Sequence, residues 1–244
     1  RVKEYNRKNE ILAEKAEKAG TLGNWLGVLP NAGSEDISKA WDKILINQFH
    51  DVLPGSSIPY QYEVTYNNQE LAKNLLNNVQ NDGLQAIAYK ADTNVDGTPV
   101  LVFNPLSWER SDMVETTVRF TDAVPEQIAV YDGDPLVPST VTARDEEKKT
   151  ATIRFQANAL PSIGFKIFTV KAGDGTVETN LSVEENDSLF VMENEFLKVE
   201  IDKETGNIAQ VYNKKDNNRP VFADGYQGNE IHIYKDTGGS SYPA

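Results

Sequence analysis

The sequence predicts a multidomain α+β protein, with an N-terminal three-helix bundle followed by antiparallel β-sandwich domains, the last of them truncated. Over residues 1–91 the apolar residues recur at helical spacing, whereas from Val100 onward they recur at every second position. The polar, turn-forming segment DTNVDGTP at 92–99 separates the two patterns. We therefore place a helical bundle at 1–91, a small β-sandwich at 92–172 and the start of a larger β-sandwich at 173–244.

The first predicted helix covers residues 6–19, which are rich in Ala, Glu, Lys and Leu. Glu14 and Lys18 form a favourable i,i+4 pair, and Gly20 predicts the end of the helix. The predicted buried stripe consists of Ile11, Leu12, Ala16 and Ala19.

The second predicted helix begins near Ser34, where Ser34 or Asp36 can cap it and Glu35 suits its positive end. We expect it to run as far as His50, just before the Pro-Gly turn at 54–55. Its predicted apolar stripe is Ile37, Trp41, Ile44, Leu45 and Gln48. His50 would project roughly opposite this stripe, so it is expected to face water or a neighbouring domain.

The third predicted helix starts near Pro59, since proline suits a first helical turn. Its predicted apolar face is Val64, Leu71, Leu75, Leu76 and Val79. Short links between the three helices predict an up-down bundle.

Alternating residues then predict strands at 100–103, 114–120, 128–131, 152–155 and 165–170. Their short length and the turn residues between them favour an antiparallel sandwich. A second break, KAGDG at 171–175, precedes predicted strands at 194–202, 208–212 and 230–234. The first two of these flank the turn KETG at 203–206.

The net charge of −13 makes a nucleic-acid or anionic-membrane partner a poor match, whereas a neutral sugar or a metal cation suits it. The lack of cysteine excludes disulfides and thiolate metal sites and is compatible with a reducing cytoplasm, where we expect the protein. The sequence has neither an apolar run of about 18 residues nor an initial signal segment. Because it begins with Arg1 in a helical segment, we expect it to be part of a longer polypeptide.

The strongest candidate for chemistry is the segment NQFHDVLPGSS at 47–57, which holds one of the two histidines and an adjacent carboxylate. His50 could complement a helix dipole, and Asp51 could simply form a turn. Alternatively, imidazole and carboxylate are both zinc ligands, although at least two more ligands would have to come from elsewhere. For His232, in a predicted strand between Ile231 and Ile233, a polar sheet face is a sufficient explanation.

Residues 48–57 (QFHDVLPGSS) resemble the signature of the α-mannosidases of glycoside hydrolase family 38, in their bacterial and cytosolic form. Other segments resemble the same family in the same order along the chain. These are Asn6, Arg7 and Glu10, residues 40–45 (AWDKIL), 102–110 (VFNPLSWER), 160–165 (LPSIGF) and 194–208.

The resemblance implies that His50 is a zinc ligand and that Asp51 contacts bound mannose. It also implies that the nucleophile, the other zinc ligands and the acid/base residue belong to an N-terminal α/β catalytic domain, so that this chain supplies no catalytic residue. Such enzymes retain anomeric configuration through a covalent glycosyl-enzyme intermediate. We therefore expect the middle and C-terminal part of a zinc-dependent mannosidase of mannose-containing oligosaccharides, inactive by itself.

Two other functions compete with this one. A non-catalytic carbohydrate-binding module would expose Trp or Tyr on a sheet face, because sugar binding uses aromatic platforms. Only Trp108 of the three tryptophans lies in the predicted β part. A structural segment that forms a homo-oligomer would instead expose a large apolar patch.

Overall fold

The computed structural model describes residues 1–234 and divides the chain into two compact units, Arg1–Val177 and Glu178–Ala244. Three helices come first and antiparallel sheets follow, which confirms the predicted α+β class. The helices and the first sandwich share one compact unit. The three-part division at 1–91, 92–172 and 173–244 stays a prediction, and its last ten residues lie outside the described part of the chain.

The three helices are α1 (Val2–Trp25), α2 (Ser34–Ile46) and α3 (Pro59–Lys90). Pro59 opens α3 as predicted. The prediction that Gly20 ends the first helix is wrong, since α1 continues for five more residues. No helix within residues 1–234 has an apolar stretch long enough to cross a membrane.

The second helix begins at Ser34 as predicted, but its cap and its end need correction. Neither Ser34 nor Asp36 caps the helix with its side chain; Gly33 precedes it instead, with φ of 72° in the left-handed region that glycine adopts readily. The helix ends at Ile46, four residues before His50. The predicted projection of His50 from a helical face therefore does not apply.

Small residues form the contact between α1 and α3. The buried core of the bundle consists of Ala13, Ala16, Ala40, Ile44, Ala72, Leu76 and Val79. Gly83 packs so closely on α1 that a Cβ there would overlap the backbone carbonyl of Ala19. Gly20 is buried in the same contact, and a Cβ on it would meet the carbonyl of Ala32.

The burial of the predicted core residues follows the prediction only in part. Ala16, Ala19, Ile44, Leu76 and Val79 are buried as expected. Four predicted core residues are instead exposed: Ile11, Leu45, Val64 and Leu71. The buried side of α3 is the one that carries Ala72, Leu76, Val79 and Gly83, so Val64 and Leu71 lie outside it.

The α1–α3 contact also contains buried polar groups. The Asn9 side-chain amide donates to Gln69 Oε1 at 2.6 Å and to the Gln69 carbonyl oxygen at 2.9 Å. Thr65 Oγ1 and Gln69 Nε2 are buried with no hydrogen-bond partner within residues 1–234. Unpartnered polar atoms cost stability, so this part of the bundle is not optimised for stability alone.

Seven strands make the first sandwich: β1 (Thr98–Asn104), β2 (Arg110–Arg119), β3 (Ile128–Tyr131), β4 (Leu136–Val137), β5 (Ser139–Asp145), β6 (Thr150–Leu160) and β7 (Gly164–Ala172). They form two antiparallel sheets in the orders β1-β7-β3-β4 and β2-β6-β5. Both sheets contribute to one core, where the rings of Phe155 and Phe168 lie 5.0 Å apart. The predicted sandwich is confirmed, although the largely exposed β5 gave no alternating apolar signal.

Asn104 holds the link between β1 and β2 in place. Its side-chain amide donates to the carbonyl oxygens of Trp108, Leu160 and Pro161 at 2.8, 3.2 and 3.0 Å. Its Oδ1 accepts the backbone N–H of Leu106 at 3.1 Å. A single buried side chain thereby fixes the Asn-Pro turn of the VFNPLSWER segment.

The second unit contains one antiparallel sheet in the order β12-β11-β10-β9-β8. The strands are β8 (Ser182–Glu185), β9 (Leu189–Glu193), β10 (Leu197–Asp202), β11 (Ile208–Asn213) and β12 (Arg219–Pro220). The predicted hairpin around 203–206 is confirmed by the pairing of β10 with β11. Val183, Met192, Val199 and Val211 lie opposite one another on one apolar face. None of residues 178–234 is buried, so this face is open in the described unit.

The predicted strand at 230–234 is wrong. These residues have no regular structure, and Ile231 and Ile233 are 82% and 92% exposed. Alternating apolar residues form a strand only where a neighbouring strand accepts their backbone hydrogen bonds. The polar-sheet-face interpretation of His232 therefore does not hold.

Candidate functional site

His50 and Asp51 lie in the turn segment that joins α2 to α3, residues 47–58. The backbone N–H groups of Val52 and Leu53 both donate to the carbonyl oxygen of Phe49, at 3.0 and 3.1 Å. This closes a tight turn around His50 and Asp51 and leaves their side chains 73% and 61% exposed. The predicted outward position of His50 is thus correct, but the turn causes it and no helix face does.

The two side chains lie close enough to contact one small ligand. His50 Nε2 and Asp51 Oδ2 are 3.4 Å apart. The imidazole packs on the ring of Phe49, with centroids 4.4 Å apart and planes tilted by 49°. The structure therefore places two possible ligand atoms, an imidazole nitrogen and a carboxylate oxygen, side by side on the protein surface.

His50 and Asp51 do not by themselves complete a metal centre. Within residues 1–234 there is no group of three or more His, Cys, Asp or Glu side chains placed to hold an ion. The second histidine, His232, belongs to the other unit, where its Nε2 lies 3.3 Å from Glu230 Oε2. Any metal bound by His50 would need ligands from outside this part of the chain.

On its N-terminal side the turn is attached to α1 through Gln48. The Gln48 side-chain amide donates to Glu10 Oε1 at 2.7 Å and to Asn6 Oδ1 at 3.2 Å. Asn6 Nδ2 in turn donates to Glu10 Oε1 at 2.9 Å. Asn47, 1% exposed, donates from Nδ2 to the Lys43 carbonyl oxygen at 2.6 Å and so ends α2.

On its C-terminal side the turn is attached to α3 through Tyr62. The Tyr62 hydroxyl accepts the backbone N–H of Ser57 at 2.9 Å and donates to the Asp51 carbonyl oxygen at 3.5 Å. Val52, which lies between these two attachments in sequence, is buried, with 6% of its surface exposed. No local pattern signals the roles of Tyr62 and Glu10, which lie 11 and 38 residues from their partners Asp51 and Gln48.

Exposed apolar side chains belong to the same end of the bundle. Five apolar residues in or beside the turn segment are 56–70% exposed: Leu45, Ile46, Phe49, Ile58 and Tyr60. Exposed apolar groups concentrated in one segment are typical of a surface that another domain covers.

The rest of the first unit offers less for sugar recognition. A cleft of about 390 Å³ between α3 and β1 is lined by residues that include Leu84, Leu101 and Phe103, and neither His50 nor Asp51 lines it. Of the three tryptophans, Trp25 and Trp41 lie in helices, and Trp108 lies between β1 and β2. None of the three is therefore on a sheet face. Two tyrosines do lie in strands, Tyr131 in β3 and Tyr212 in β11, but each is half-buried and has a lysine, Lys171 or Lys198, over its ring.

Models of two known protein families match this chain, one in its N-terminal part and one in its C-terminal part. The family model for the alpha mannosidase middle domain matches residues 1–87, and that for the glycosyl hydrolases family 38 C-terminal domain matches residues 192–243. A relative in Dictyostelium discoideum, alpha-mannosidase G, is 26% identical over 241 residues, covering 84% of this chain and 20% of its own length. The chain thus spans about a fifth of that relative.

A solved structure shares the fold. The crystal structure of an alpha-mannosidase from Enterococcus faecalis matches 88% of this chain and 28% of its own, with a TM-score of 0.70 and 20% identity. Together the two family models take in more than half of the 244 residues, in the order in which the helices and sheets occur. The chain belongs to the α-mannosidases of glycoside hydrolase family 38, of which it carries the middle and C-terminal domains.

Proposed function

We propose that this chain is the middle and C-terminal part of a zinc-dependent, retaining α-mannosidase that hydrolyses terminal α-mannosyl residues of oligosaccharides. In this proposal His50 is a metal ligand and Asp51 binds the sugar. The observation that carries it is the pair of donors 3.4 Å apart, exposed on a turn that two helices hold in place, in a chain of this family.

The donor chemistry fits zinc in part. A neutral imidazole nitrogen is a common zinc ligand, and an exposed carboxylate can accept hydrogen bonds from sugar hydroxyls. A zinc ion at such a site would bind sugar hydroxyls as a Lewis acid. Because residues 1–234 supply no third ligand, the remaining ligands and the nucleophile are assigned to an α/β catalytic domain of the same polypeptide.

The apolar residues beside the turn support such a domain partner. Side chains such as Phe49 and Tyr60, 62% and 70% exposed, would lose contact with water when the catalytic domain covers the turn. His50 and Asp51 would then line an enclosed pocket, where a metal and a neutral sugar are held more strongly than on an open surface. A net charge of −13 is compatible with both ligands.

The test uses a longer polypeptide that includes the catalytic domain, assayed on an aryl α-mannoside with metal removed and restored. We expect His50→Ala to abolish metal-restored activity and Asp51→Asn to raise KM. His232→Ala is the matched control, because His232 is also exposed and also lies beside a carboxylate, and it should leave activity unchanged.

The 244-residue chain by itself provides a second measurement. Since ligands act together on a preformed site, we expect it neither to hydrolyse the aryl mannoside nor to retain stoichiometric zinc after dialysis. Full activity of His50→Ala in the longer polypeptide would refute the site assignment. Turnover by the 244-residue chain would refute the assignment of the nucleophile to another domain.

A further inference from the structure

We propose that Gln48 and Tyr62 are positioning residues, which fix the turn so that His50 and Asp51 meet a metal and a sugar in one arrangement. This inference rests on the proposed function. His50 and Asp51 are both mostly exposed, so their own packing does little to hold them. The placement of their donor atoms therefore depends on how firmly the backbone of the turn is held.

Gln48 attaches the turn to α1 through Asn6 and Glu10, and Glu10 Oε2 also pairs with Arg7 Nη1 at 3.1 Å. The amide of Asn6 is used twice, since Nδ2 donates to Glu10 and Oδ1 accepts from Gln48. Glu10 Oε1 accepts from both amides, and a carboxylate acceptor makes such bonds stronger than neutral ones. The attachment point is two residues from His50, so movement of Gln48 would shift the imidazole directly.

Tyr62 attaches the other end of the turn to α3. Its hydroxyl accepts the backbone N–H of Ser57 at 2.9 Å and lies 3.5 Å from the Asp51 carbonyl oxygen, at the outer limit of a hydrogen bond. Because Tyr62 lies in the first turn of a 32-residue helix, it attaches the turn to a rigid element, chiefly through Ser57. A turn fixed at Gln48 and at Tyr62 has little freedom to reorient the two residues between.

These contacts are separate from the core that holds the bundle together. The core consists of alanine, leucine, isoleucine and valine side chains from the three helices, whereas Gln48 and Tyr62 are only partly buried. Removing one hydrogen bond at the turn should therefore loosen the turn and leave the bundle folded.

The first test measures amide hydrogen exchange in the 244-residue chain. We expect Tyr62→Phe to accelerate exchange at Ser57 and at neighbouring turn amides by about fivefold or more, as for loss of one hydrogen bond. Exchange at core amides such as that of Leu76 should stay unchanged. Tyr60→Phe, in the same helical turn and 70% exposed, is the matched control and should alter neither.

The second test exchanges the partners of the Gln48 contact. Gln48→Glu places a second carboxylate against Glu10 and should loosen the turn. Adding Glu10→Gln restores one amide and one carboxylate, and Asn6 can serve the reversed pair by flipping its amide. We expect turn exchange to rise in Gln48→Glu and to return to near the original rate in the double variant.

The same variants in the longer enzyme connect the turn with function. Residues that orient metal ligands typically change metal affinity or activity by about 10–100-fold, and we expect a loss in this range for Tyr62→Phe and Gln48→Glu. In the Gln48→Glu, Glu10→Gln double variant, activity should recover. Recovery by a reversed pair would not follow from a general loss of stability.

Failure of this inference can be told apart from failure of the proposed function. Unchanged turn exchange in Tyr62→Phe, or no recovery in the double variant, would overturn the positioning role whatever His50 does. Loosened turns with no change in metal affinity or kcat/KM would likewise overturn it. Unchanged metal-dependent activity in His50→Ala would overturn the proposed function and leave the exchange results standing.

Discussion

Gly83→Ala tests the close contact between α1 and α3 on which the bundle depends. A Cβ at position 83 would overlap the carbonyl carbon and oxygen of Ala19 and would lie 2.7 Å from the Gly20 nitrogen. Ordinary Cβ contacts begin at 3.4 Å. The overlap with the Ala19 carbonyl is the more severe one, so the helices must separate by about 1 Å, because backbone atoms cannot rotate away as a side chain can.

The expected loss of stability combines two destabilising terms with one stabilising term. Overpacking typically costs about 1–3 kcal/mol, and a contact with backbone atoms belongs at or above the top of that range. When the two helices move apart by about 0.5–1 Å, each pair of atoms across their contact also loses about a quarter to a half of its van der Waals attraction. Alanine regains about 1 kcal/mol in helix propensity over glycine. We expect a net loss of about 2–3 kcal/mol.

Thermal unfolding followed by far-UV circular dichroism measures this loss. For a chain of this length, about 2–3 kcal/mol corresponds to a fall in Tm of roughly 4–12 °C. Asn81→Ala is the matched control, since it lies two residues earlier on the exposed side of α3 and should leave Tm unchanged or slightly higher. A Gly83→Ala variant that melts at or above the wild-type temperature would refute the close contact.

Two further predictions concern single polar groups. Thr65→Val should raise the free energy of unfolding by about 1 kcal/mol, because it keeps the shape of the side chain and removes a buried hydroxyl that has no partner within residues 1–234. Thr65→Ser, which keeps the hydroxyl, should lower the free energy of unfolding. A Thr65→Val variant less stable than the wild type would show that the hydroxyl is bonded. The backbone N–H and the hydroxyl of Thr205 donate to Asp202 and lower its pKa below the usual 3.8. The ionised carboxylate therefore stabilises the hairpin above pH 3.8, and this stabilisation is lost as the pH falls through the lowered pKa. An NMR titration should find that Thr205→Val raises the pKa of Asp202, and an unchanged value would contradict this.

The sequence alone was sufficient for the α+β class and for helices that precede antiparallel strands, although β4, β5, β8, β9 and β12 were not predicted. Pro59 predicted the start of α3 correctly, and alternation predicted the hairpin on either side of residues 203–206. These signals succeed because each depends on residues a few positions apart, which share one face of one element. The segment 48–57 also directed attention to His50 and Asp51 before any geometry was known.

Only the tertiary structure decided where these elements end and what holds the site. Glycine is common at helix ends, yet Gly20 lies inside α1. It is needed there because the carbonyl of Ala32 occupies the space that a side chain would fill. Leu71 fits a helical stripe, yet it is exposed because the buried side of α3 is the one that carries Ala72, Leu76 and Val79. Tyr62 and Glu10 carry no local signal, since their importance arises from hydrogen bonds to residues far away in the chain. Periodicity reports which side of an element is apolar. The distance between the packed helices determines which side chains fit between them and which can reach the turn.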